Sequence, residues 1–245
     1  MPGTSIPFHA FNKSTEVVFF TGAGISAESG ISTFRDPDGH WTKHDPVKLA
    51  SRQGFRTDPE LVLSWYGDRR DKIREIRPNA GHLAITNFQK LFQNSVVITQ
   101  NVDGLHADAG NEHILELHGN IHKHKCMLCG APKILTMGEE RKLNICGCGG
   151  WVRPDVVWFG ENLPVDILSK SFEAVRSSHL FFSIGTSTQI YPAAQLPFEA
   201  QRNGAYVIEI NPESTPFSPV ANLSLREGAG NALPKLYEEF YASLS

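Results

Sequence analysis

Short apolar runs recur along the chain and constrain its fold more than any other feature of the sequence. Each run is four to six residues long and rich in valine, isoleucine, leucine or phenylalanine, as buried strands are. A helical pattern from Asn79 to Gln93 separates the first two runs. Strands that alternate with helices predict a Rossmann-like parallel sheet with helices on both faces, the α/β class. The predicted strands are Glu16–Phe20, Ser95–Thr99, Ile114–Leu117, His179–Ile184 and Ala205–Ile210.

One stretch interrupts this alternation. From residue 120 to about residue 155 the chain is rich in cysteine, glycine and lysine and has little periodicity. A chain of 245 residues has room for one α/β domain and a small insertion, whereas two equal domains are disfavoured. We therefore predict a single domain over residues 1–245 with an inserted module at residues 120–157.

The composition excludes several classes of function. No apolar run approaches the roughly 18 residues that would span a bilayer, so a membrane protein is not expected. The formal net charge of -3 provides no basic excess for direct binding to nucleic acid. The first 13 residues contain one basic residue and no long apolar core, which is unlike a signal peptide. We expect a cytoplasmic protein.

All four cysteines lie within the predicted insertion. Cys126 and Cys129 form one close pair, and Cys146 and Cys148 form a second. This spacing predicts a structural Cys₄ zinc site. Cysteines clustered in this way indicate a metal site in a reducing compartment and not a set of disulfides. A closed set of four thiolates leaves no open coordination position, so the metal should stabilise the module without taking part in chemistry. Four unligated thiols are the alternative.

A glycine-rich loop follows the first predicted strand. Gly22-Ala23-Gly24-Ile25-Ser26, extended by Gly30, has the spacing of a dinucleotide-binding turn, in which backbone amides approach a pyrophosphate. A tight turn that packs against a helix is the alternative. Two further polar turns, at residues 185–187 and 211–213, also follow apolar strands, and together the three predict a nucleotide crevice. No clear acidic residue ends a second strand about 20 residues later, which disfavours a hydride-transfer enzyme.

The loop continues with charged and aromatic residues between Phe34 and Trp41. Their density is unusual for a plain connector, and Arg35 could hold a phosphate. A solvated surface loop is the alternative reading.

Polar side chains also cluster where two other predicted strands end. Gln100, Asn101 and Asp103 follow one strand and could bind a carboxamide or a ribose hydroxyl, although turn formation would explain each of them as well. His118 ends the next strand, directly before the cysteine module. With an ordinary pKa of about 6.5, a histidine in such a cleft can act as a general base at neutral pH.

Together these segments resemble the sirtuin family, and they occur in the sirtuin order over nearly the whole chain. The second cysteine pair departs from the pattern, with one spacer residue where many sirtuins have two. The resemblance implies an NAD-consuming deacylase of acyl-lysine proteins or peptides. It implies NAD contacts at Gly22, Ala23, Gly24, Ile25, Ser26, Glu28, Phe34, Arg35, Trp41, Gln100, Asn101, Val102, Asp103, Gly185, Thr186, Ser187, Asn211, Pro212, Glu213 and Ala229.

The same resemblance implies a mechanism. In sirtuins the acyl-lysine carbonyl oxygen attacks the anomeric carbon of the ribose, nicotinamide leaves, and a histidine deprotonates a ribose hydroxyl. His118 stands at the matching position. The expected products are free lysine, nicotinamide and O-acyl-ADP-ribose.

A segment after the cysteines resembles the strand on which sirtuins bind their peptide substrate. It contains Val157, Phe159, Gly160 and Glu161, and β-addition there would read the peptide backbone. A role in the core is the alternative for its apolar residues.

A helix is predicted from Asp58 to Ile76, with Val62, Tyr66, Arg69 and Ile73 on one face. An arginine on an apolar stripe needs a partner or access to water, and Asp68 or Asp71 could pair with it. The Tyr66-x-x-Arg69 pair resembles the motif with which one sirtuin class binds succinyl- or malonyl-lysine. We expect these acyl groups to be preferred and acetyl-lysine to be accepted.

Two other functions compete with this interpretation: a non-catalytic sensor of NAD or ADP-ribose, and a mono-ADP-ribosyltransferase that uses the same cleft. Release of nicotinamide separates the first from an enzyme, and transfer of label from NAD to a protein identifies the second. We expect a monomer.

Overall fold

The main sheet lies at the centre of the protein. The computed structural model describes residues 6–31 and 46–244, except for the side chains of residues 46 and 47. Six parallel strands run in the order β3-β2-β1-β7-β8-β9. All five predicted strands are present, and their ends agree with the prediction to within one residue. The strands of this sheet are β1 (Glu16–Thr21), β2 (Asn94–Thr99), β3 (Ile114–Glu116), β7 (Leu180–Ile184), β8 (Tyr206–Ile210) and β9 (Leu223–Leu225).

Helices cover both faces of the sheet. Adjacent residues of β1 point to opposite faces, so Phe19 packs on Phe88 of one helical layer while Phe20 packs on the opposite side near Phe181. The two predicted helices are confirmed with slightly narrower bounds. The helices are α1 (Ala23–Ala27), α2 (Pro46–Leu49), α3 (Arg52–Thr57), α4 (Pro59–Glu75), α5 (Ala80–Leu91), α6 (Leu105–Asp108), α7 (Val165–Ser177), α8 (Leu196–Arg202) and α9 (Ala229–Leu244).

The strands that follow β1 along the chain extend the sheet in two directions: β2 and β3 lie on one side of β1, and β7, β8 and β9 lie on the other. In open α/β sheets, ligands bind outside the carboxyl ends of the strands at such a switch point. The Rossmann-like fold predicted from the apolar runs is confirmed, and it places the ends of β1, β2 and β7 side by side.

The cysteine-containing insertion forms a second sheet. Three antiparallel strands pair in the order β5-β4-β6, an arrangement that the sequence pattern did not predict. Their core is shared with α3 and α4, where Phe55 and Tyr66 pack near Trp158. The boundaries at residues 120 and 157 stay a prediction. The strands are β4 (Gly119–Cys126), β5 (Pro132–Lys133) and β6 (Val152–Val156).

None of the helices within the described ranges is long and apolar enough to cross a membrane.

A buried carboxylate stabilises the end of β8. Glu209 is 1% exposed and accepts hydrogen bonds from Thr215, from Ser218 at 2.6 Å and from Ser224 at 3.0 Å, with Arg226 Nη1 at 2.9 Å. Burial alone raises the pKa of Glu209, but these donors outweigh burial and hold the pKa below its ordinary value. The ionised form therefore stabilises the fold.

We expect Glu209→Gln to lower the free energy of unfolding at neutral pH by about 1 to 3 kcal/mol, because it removes an ionised acceptor from buried donors. A depressed carboxyl pKa contributes stability above the ordinary pKa of about 4.3, and that contribution is lost as the pH falls through the folded-state value. The difference between variant and wild type should therefore shrink in acid. Denaturant unfolding at several pH values measures it, with exposed Glu238→Gln as the matched control. A difference that persists undiminished at low pH would contradict the assignment.

Candidate functional site

The glycine loop and the end of β7 touch backbone to backbone at the switch point. The N–H of Gly22 donates to Ile184 O at 2.9 Å, and the N–H of Gly24 donates to Gly185 O at 2.8 Å. A Cβ on Gly24 would lie 2.6 Å from the Cα of Gly185, and Gly185 has φ +57. No side chain fits between these segments, so they have the close backbone approach that a dinucleotide turn requires. Three predicted NAD contacts, Phe34, Arg35 and Trp41, lie outside the described residues.

Three of the predicted polar residues meet above this contact. Ser26 Oγ donates to Asp103 Oδ2 at 2.8 Å and accepts from Asn101 Nδ2 at 3.1 Å. Asn101 Nδ2 also donates to Gly22 O at 3.0 Å. The glycine loop and the loop after β2 are therefore tied together by hydrogen bonds among the residues that the sequence singled out.

Asp103 is 5% exposed. Burial raises the pKa of its carboxyl, and hydrogen bonds from the Leu105 N–H and from Ser26 act in the opposite direction. A buried carboxyl of this kind at a cleft is a functional-site feature, since it can orient a polar ligand group without exposure to bulk water.

The second and third predicted turns, at residues 185–187 and 211–213, join the same edge. Gln100 Nε2 donates to Thr186 Oγ1 at 2.8 Å, and Asn211 Nδ2 donates to Thr186 O at 2.9 Å. At the far end, exposed Glu28 accepts from the N–H of Gly230 at 3.0 Å, next to buried Ala229. The crevice thus extends from the end of β2 past β7 to the start of α9.

His118 lies in the connection between β3 and β4, half-buried beside the polar cluster. Its Nδ1 is 2.8 Å from Gln100 O. A carbonyl oxygen only accepts, so Nδ1 carries the hydrogen and Nε2 keeps its lone pair. Burial lowers the pKa of His118, and the bond to Gln100 O opposes the shift. His118 is therefore neutral at pH 7, with Nε2 able to take a proton.

Two further histidines support the crevice from below, and neither of them was assigned a role of its own from the sequence. His106 Nε2 is 2.9 Å from Thr21 Oγ1, which donates to Thr99 Oγ1 at 2.9 Å. His82 contacts the His106 ring, and burial lowers the pKa of His82 to about 4 and of His106 to about 3. Thr21 and Thr99 end β1 and β2, so the pair holds both strand ends. The signal in the sequence was Asn79-x-x-His82, the capping box that begins α5.

The four cysteines converge as predicted. Their sulfur atoms all lie within 4.8 Å of one another, with 3.5 Å between Cys126 and Cys148 and 3.9 Å between Cys129 and Cys146. Tetrahedral Zn²⁺ with Zn–S bonds of about 2.3 Å requires sulfurs about 3.8 Å apart. The donor set therefore fits zinc. The short second spacing is accommodated by a turn in which Gly149, at φ +83, donates to Cys146 O at 2.8 Å.

The predicted substrate segment follows β6 at the surface. Val157 N donates to His118 O at 2.9 Å, which places the segment beside the base, and Phe159 is 51% exposed. The carboxylate of Glu161 is held by Arg153 Nη2 at 2.8 Å and by Arg52 Nε at 2.6 Å. Glu161 thus orders the segment through contacts inside the protein. A bound peptide would pair with backbone groups of the segment that make no such contact.

The predicted acyl-selecting residues lie on α4, toward the same cleft. Tyr66 is 3% exposed, and its oxygen accepts a hydrogen bond from Trp158 Nε1 at 2.8 Å. Burial raises the pKa of Tyr66 to about 12, so the phenol stays neutral. Burial lowers the pKa of Arg69, opposed by Tyr66 and Asp103, and its guanidinium lies 5.0 Å from the Trp65 ring centroid.

Asp68 and Asp71, the partners that the sequence offered for Arg69, both pair with Arg141. Asp68 Oδ1 is 2.9 Å from Arg141 Nη1, and Asp71 also pairs with Arg141. The most buried arginine of α4 is Arg70, at 0% exposure, which the apolar-stripe argument did not identify.

Comparisons with known proteins agree with this geometry. The model of the Sir2 family matches residues 22–192. An NAD-dependent protein deacylase of Aquifex aeolicus (strain VF5) is 48% identical over 228 residues, which are 92% of this chain and 95% of the relative. A solved Sir2 homolog–NAD complex has a TM-score of 0.86 at 39% identity and covers 94% of this chain and 90% of its own.

A second solved structure contains a Sir2 variant with a deacetylated p53 peptide and 3'-O-acetyl ADP-ribose. It has a TM-score of 0.79 at 30% identity and covers 94% of each chain. Because the family model matches well over half of the sequence and the curated relative aligns over nearly all of it, this chain belongs to the Sir2 family, the sirtuins.

Proposed function

We propose that this chain is an NAD-dependent protein-lysine deacylase with His118 as its general base. The observation that carries the proposal is the position of neutral His118 beside the Ser26, Asn101 and Asp103 cluster, at the edge of the glycine crevice. NAD, the second substrate, supplies the ribose that takes the acyl group and the nicotinamide that leaves. The relatives support both substrates, since one is named for NAD-dependent deacylation and another is solved with a peptide.

Different segments of the crevice would bind different parts of NAD. The backbone of residues 22–26 and 185–187 would lie against the phosphates, because side chains are excluded where the two segments meet. Asn101 and Asp103 would orient the carboxamide of nicotinamide, with Gln100 near the ribose. The turn at residues 211–213 and Ala229 would contact the adenosine end.

His118 then acts on the ribose. With its hydrogen fixed on Nδ1 by Gln100 O, Nε2 can accept a proton from a ribose hydroxyl and so activate that oxygen for attack on the acyl carbon. The four-cysteine zinc site lies in the module outside this cleft, and its closed coordination limits it to a structural role.

We further propose that Tyr66 and Arg69 select acyl groups that end in a carboxylate. The guanidinium supplies charge and a forked donor, and the neutral phenol can donate its hydrogen while its oxygen accepts from Trp158. The effect of Asp103 on the pKa of Arg69 supports a location next to the nicotinamide end of the crevice. Succinyl- and malonyl-lysine would then be preferred, with acetyl-lysine also accepted. We keep a monomeric, cytoplasmic protein as the expectation.

Replacing His118 with alanine should lower deacylation by about 10²- to 10⁴-fold, the usual contribution of a positioned base, while the protein remains folded. Steady-state assays of nicotinamide release with an acyl-lysine peptide measure the loss. His9→Ala is the matched control, since His9 is exposed outside the cleft. Near-normal turnover by the His118 variant would refute the assignment, and label transferred from NAD to protein would favour the ADP-ribosyltransferase.

The pH dependence tests the same residue. A lowered pKa keeps His118 neutral to lower pH, and the base form is lost only as the pH falls through that value. We therefore expect kcat/KM to fall on the acid side with a midpoint below about 6.5, the ordinary value for histidine. If kcat/KM falls on the acid side with a midpoint above about 6.5, and the His118 variant lacks that fall, burial does not lower the pKa of His118 as we infer.

One zinc ion per chain is expected, held by Cys126, Cys129, Cys146 and Cys148. Chelation or Cys126→Ala should unfold the module, because metal binding and local folding are coupled. Metal analysis and circular dichroism provide the measurements, and Met137→Ala, an exposed change in the same loop, is the control. Purified, active protein without zinc would contradict this prediction.

Arg69→Met should lower the ratio of kcat/KM on succinyl-lysine to that on acetyl-lysine. Loss of one partner of a buried charge pair costs roughly 2 to 5 kcal/mol, which corresponds to a factor of about 30 to several thousand. The acetyl group has no carboxylate that could lose its partner, so kcat/KM on acetyl-lysine should fall much less. Both peptides are assayed with the same sequence, and Arg56→Met, on the exposed end of α3, is the control.

Tyr66→Phe should shift the ratio in the same direction by less, since a neutral donor contributes only about 0.5 to 1.5 kcal/mol. The substitution also removes the acceptor of the indole N–H of Trp158, so the melting temperature must be measured together with the activity. Equal losses on both peptides in the Arg69 variant would make the residue structural and leave the deacylase assignment in place.

A further inference from the structure

We propose that Glu140 and Arg70 form a latch through which the cysteine-bounded loop positions the acyl-selecting face of α4. This inference rests on the proposed role of Tyr66 and Arg69 and adds two positioning residues to it. Neither latch residue is assigned any contact with the substrate.

Arg70 lies on α4 beside the acyl-selecting residues. Successive helical residues are about 100° apart, so Arg70 is about 40° around the helix from Tyr66 and about 100° from Arg69. The face of Arg70 packs on a single 3₁₀ turn, Glu139–Arg141. That turn lies between Cys129 and Cys146, within the loop that the cysteine cluster closes.

The centre of the contact is an ion pair removed from water. Arg70 is 0% exposed and Glu140 is 3% exposed, with 3.3 Å between Arg70 Nε and Glu140 Oε2. The Arg70 guanidinium also donates to Glu140 O at 3.0 Å and to Ile121 O of β4 at 3.3 Å. A buried guanidinium needs all of these partners, so the helix has one favourable position on the module.

A second layer of charges surrounds this centre. Arg74 Nη2 lies 2.9 Å from Glu140 Oε1, so Glu140 holds two arginines one helical turn apart. Arg141 reaches back to Asp68 and Asp71. A Cβ on Gly67 would lie 2.7 Å from Arg141 Cζ, so the helix backbone rests directly on the turn.

This arrangement matters for acyl selection because a forked, charged hydrogen bond tolerates little displacement. Groups of a binding site have to be held within about 0.5 Å and 10–20° of their productive geometry. Arg69 and Arg70 are neighbours on one rigid helix, so a tilt of α4 away from the 3₁₀ turn moves the Arg69 guanidinium with it. Binding of an acyl carboxylate would weaken, whereas an acetyl group has no such partner to lose.

The decisive measurement is the ratio of kcat/KM on succinyl- and acetyl-lysine peptides of one sequence. Glu140→Gln should lower this ratio by a factor of about 3 to 30, the usual size of coupling from residues that touch no ligand. The change should appear in the KM for the succinyl peptide, with kcat and the KM for NAD nearly unchanged. Glu140→Asp, which restores the charge, should recover part of the ratio.

Arg74→Met provides a second variant in case Glu140→Gln fails to fold. Arg74 is 31% exposed and contributes only the outer contact, so the variant should fold and shift the ratio by a smaller factor in the same direction. Arg176→Met, which breaks an exposed pair with Glu199 on α8, is the matched control and should leave the ratio unchanged.

The outcomes separate this inference from the function on which it rests. If Arg69→Met leaves the ratio unchanged, the acyl-selector proposal fails and the latch has nothing to position. If Arg69→Met lowers the ratio while Arg74→Met and a folded Glu140→Gln lower both activities in equal proportion, the pair is merely structural and the latch is refuted. A selective loss in all three variants supports it.

Discussion

Gly24 and Gly185 meet backbone to backbone where β1 and β7 separate, and the positions of the other groups of the cleft follow from that contact. A Cβ on either residue would overlap the backbone of the other segment. Without side chains between them, the two segments approach closely enough for the N–H groups of Gly22 and Gly24 to donate directly to Ile184 O and Gly185 O. Any bulkier residue would push the glycine loop outward, and with it Ser26, whose hydroxyl connects the loop to Asn101 and Asp103.

The polar groups of the cleft are already oriented by the protein itself. Ser26 donates to Asp103 and accepts from Asn101, and Gln100 uses its side chain on Thr186 and its carbonyl on His118. Such a network resists rotation of any single member, because each move would leave a buried donor or acceptor without a partner. Catalytic groups fixed in this way need little reorganisation during the reaction, which is the main source of electrostatic catalysis.

Much of this arrangement could be predicted from sequence, for a physical reason. Buried parallel strands are continuous apolar runs, so five of the six strands of the main sheet were found within a residue of their ends, and their polar exits had to meet at one edge. β9 was missed because Ser224 interrupts its two leucines, so it contains no continuous apolar run. The antiparallel sheet of the module was missed because β4, with its run of histidines and lysines, shows no clean alternation.

The sequence also did not predict the long-range ion pair between Arg70 and Glu140. A helical wheel places Val62, Tyr66 and Ile73 correctly in the core, but it cannot show that Arg70 is the fully buried arginine. Its partner Glu140 is 70 residues away, in a loop that has no periodicity. Local patterns record which face of a helix is apolar, whereas a buried ion pair depends on two distant positions that only the folded chain brings together.

His118, the proposed base, and α4, the helix of the proposed acyl-selecting residues, belong to different parts of the fold, and the connection between them is short. His118 leaves the main sheet, and Gly119 begins β4 at φ +78, where a Cβ would lie 2.0 Å from Asp155 O. From there β4 leads to Ile121, which accepts from Arg70, and then to the first cysteine pair. A metal bound by the four thiolates would thus stabilise the module whose strand β4 connects His118 to the contact with Arg70 of α4.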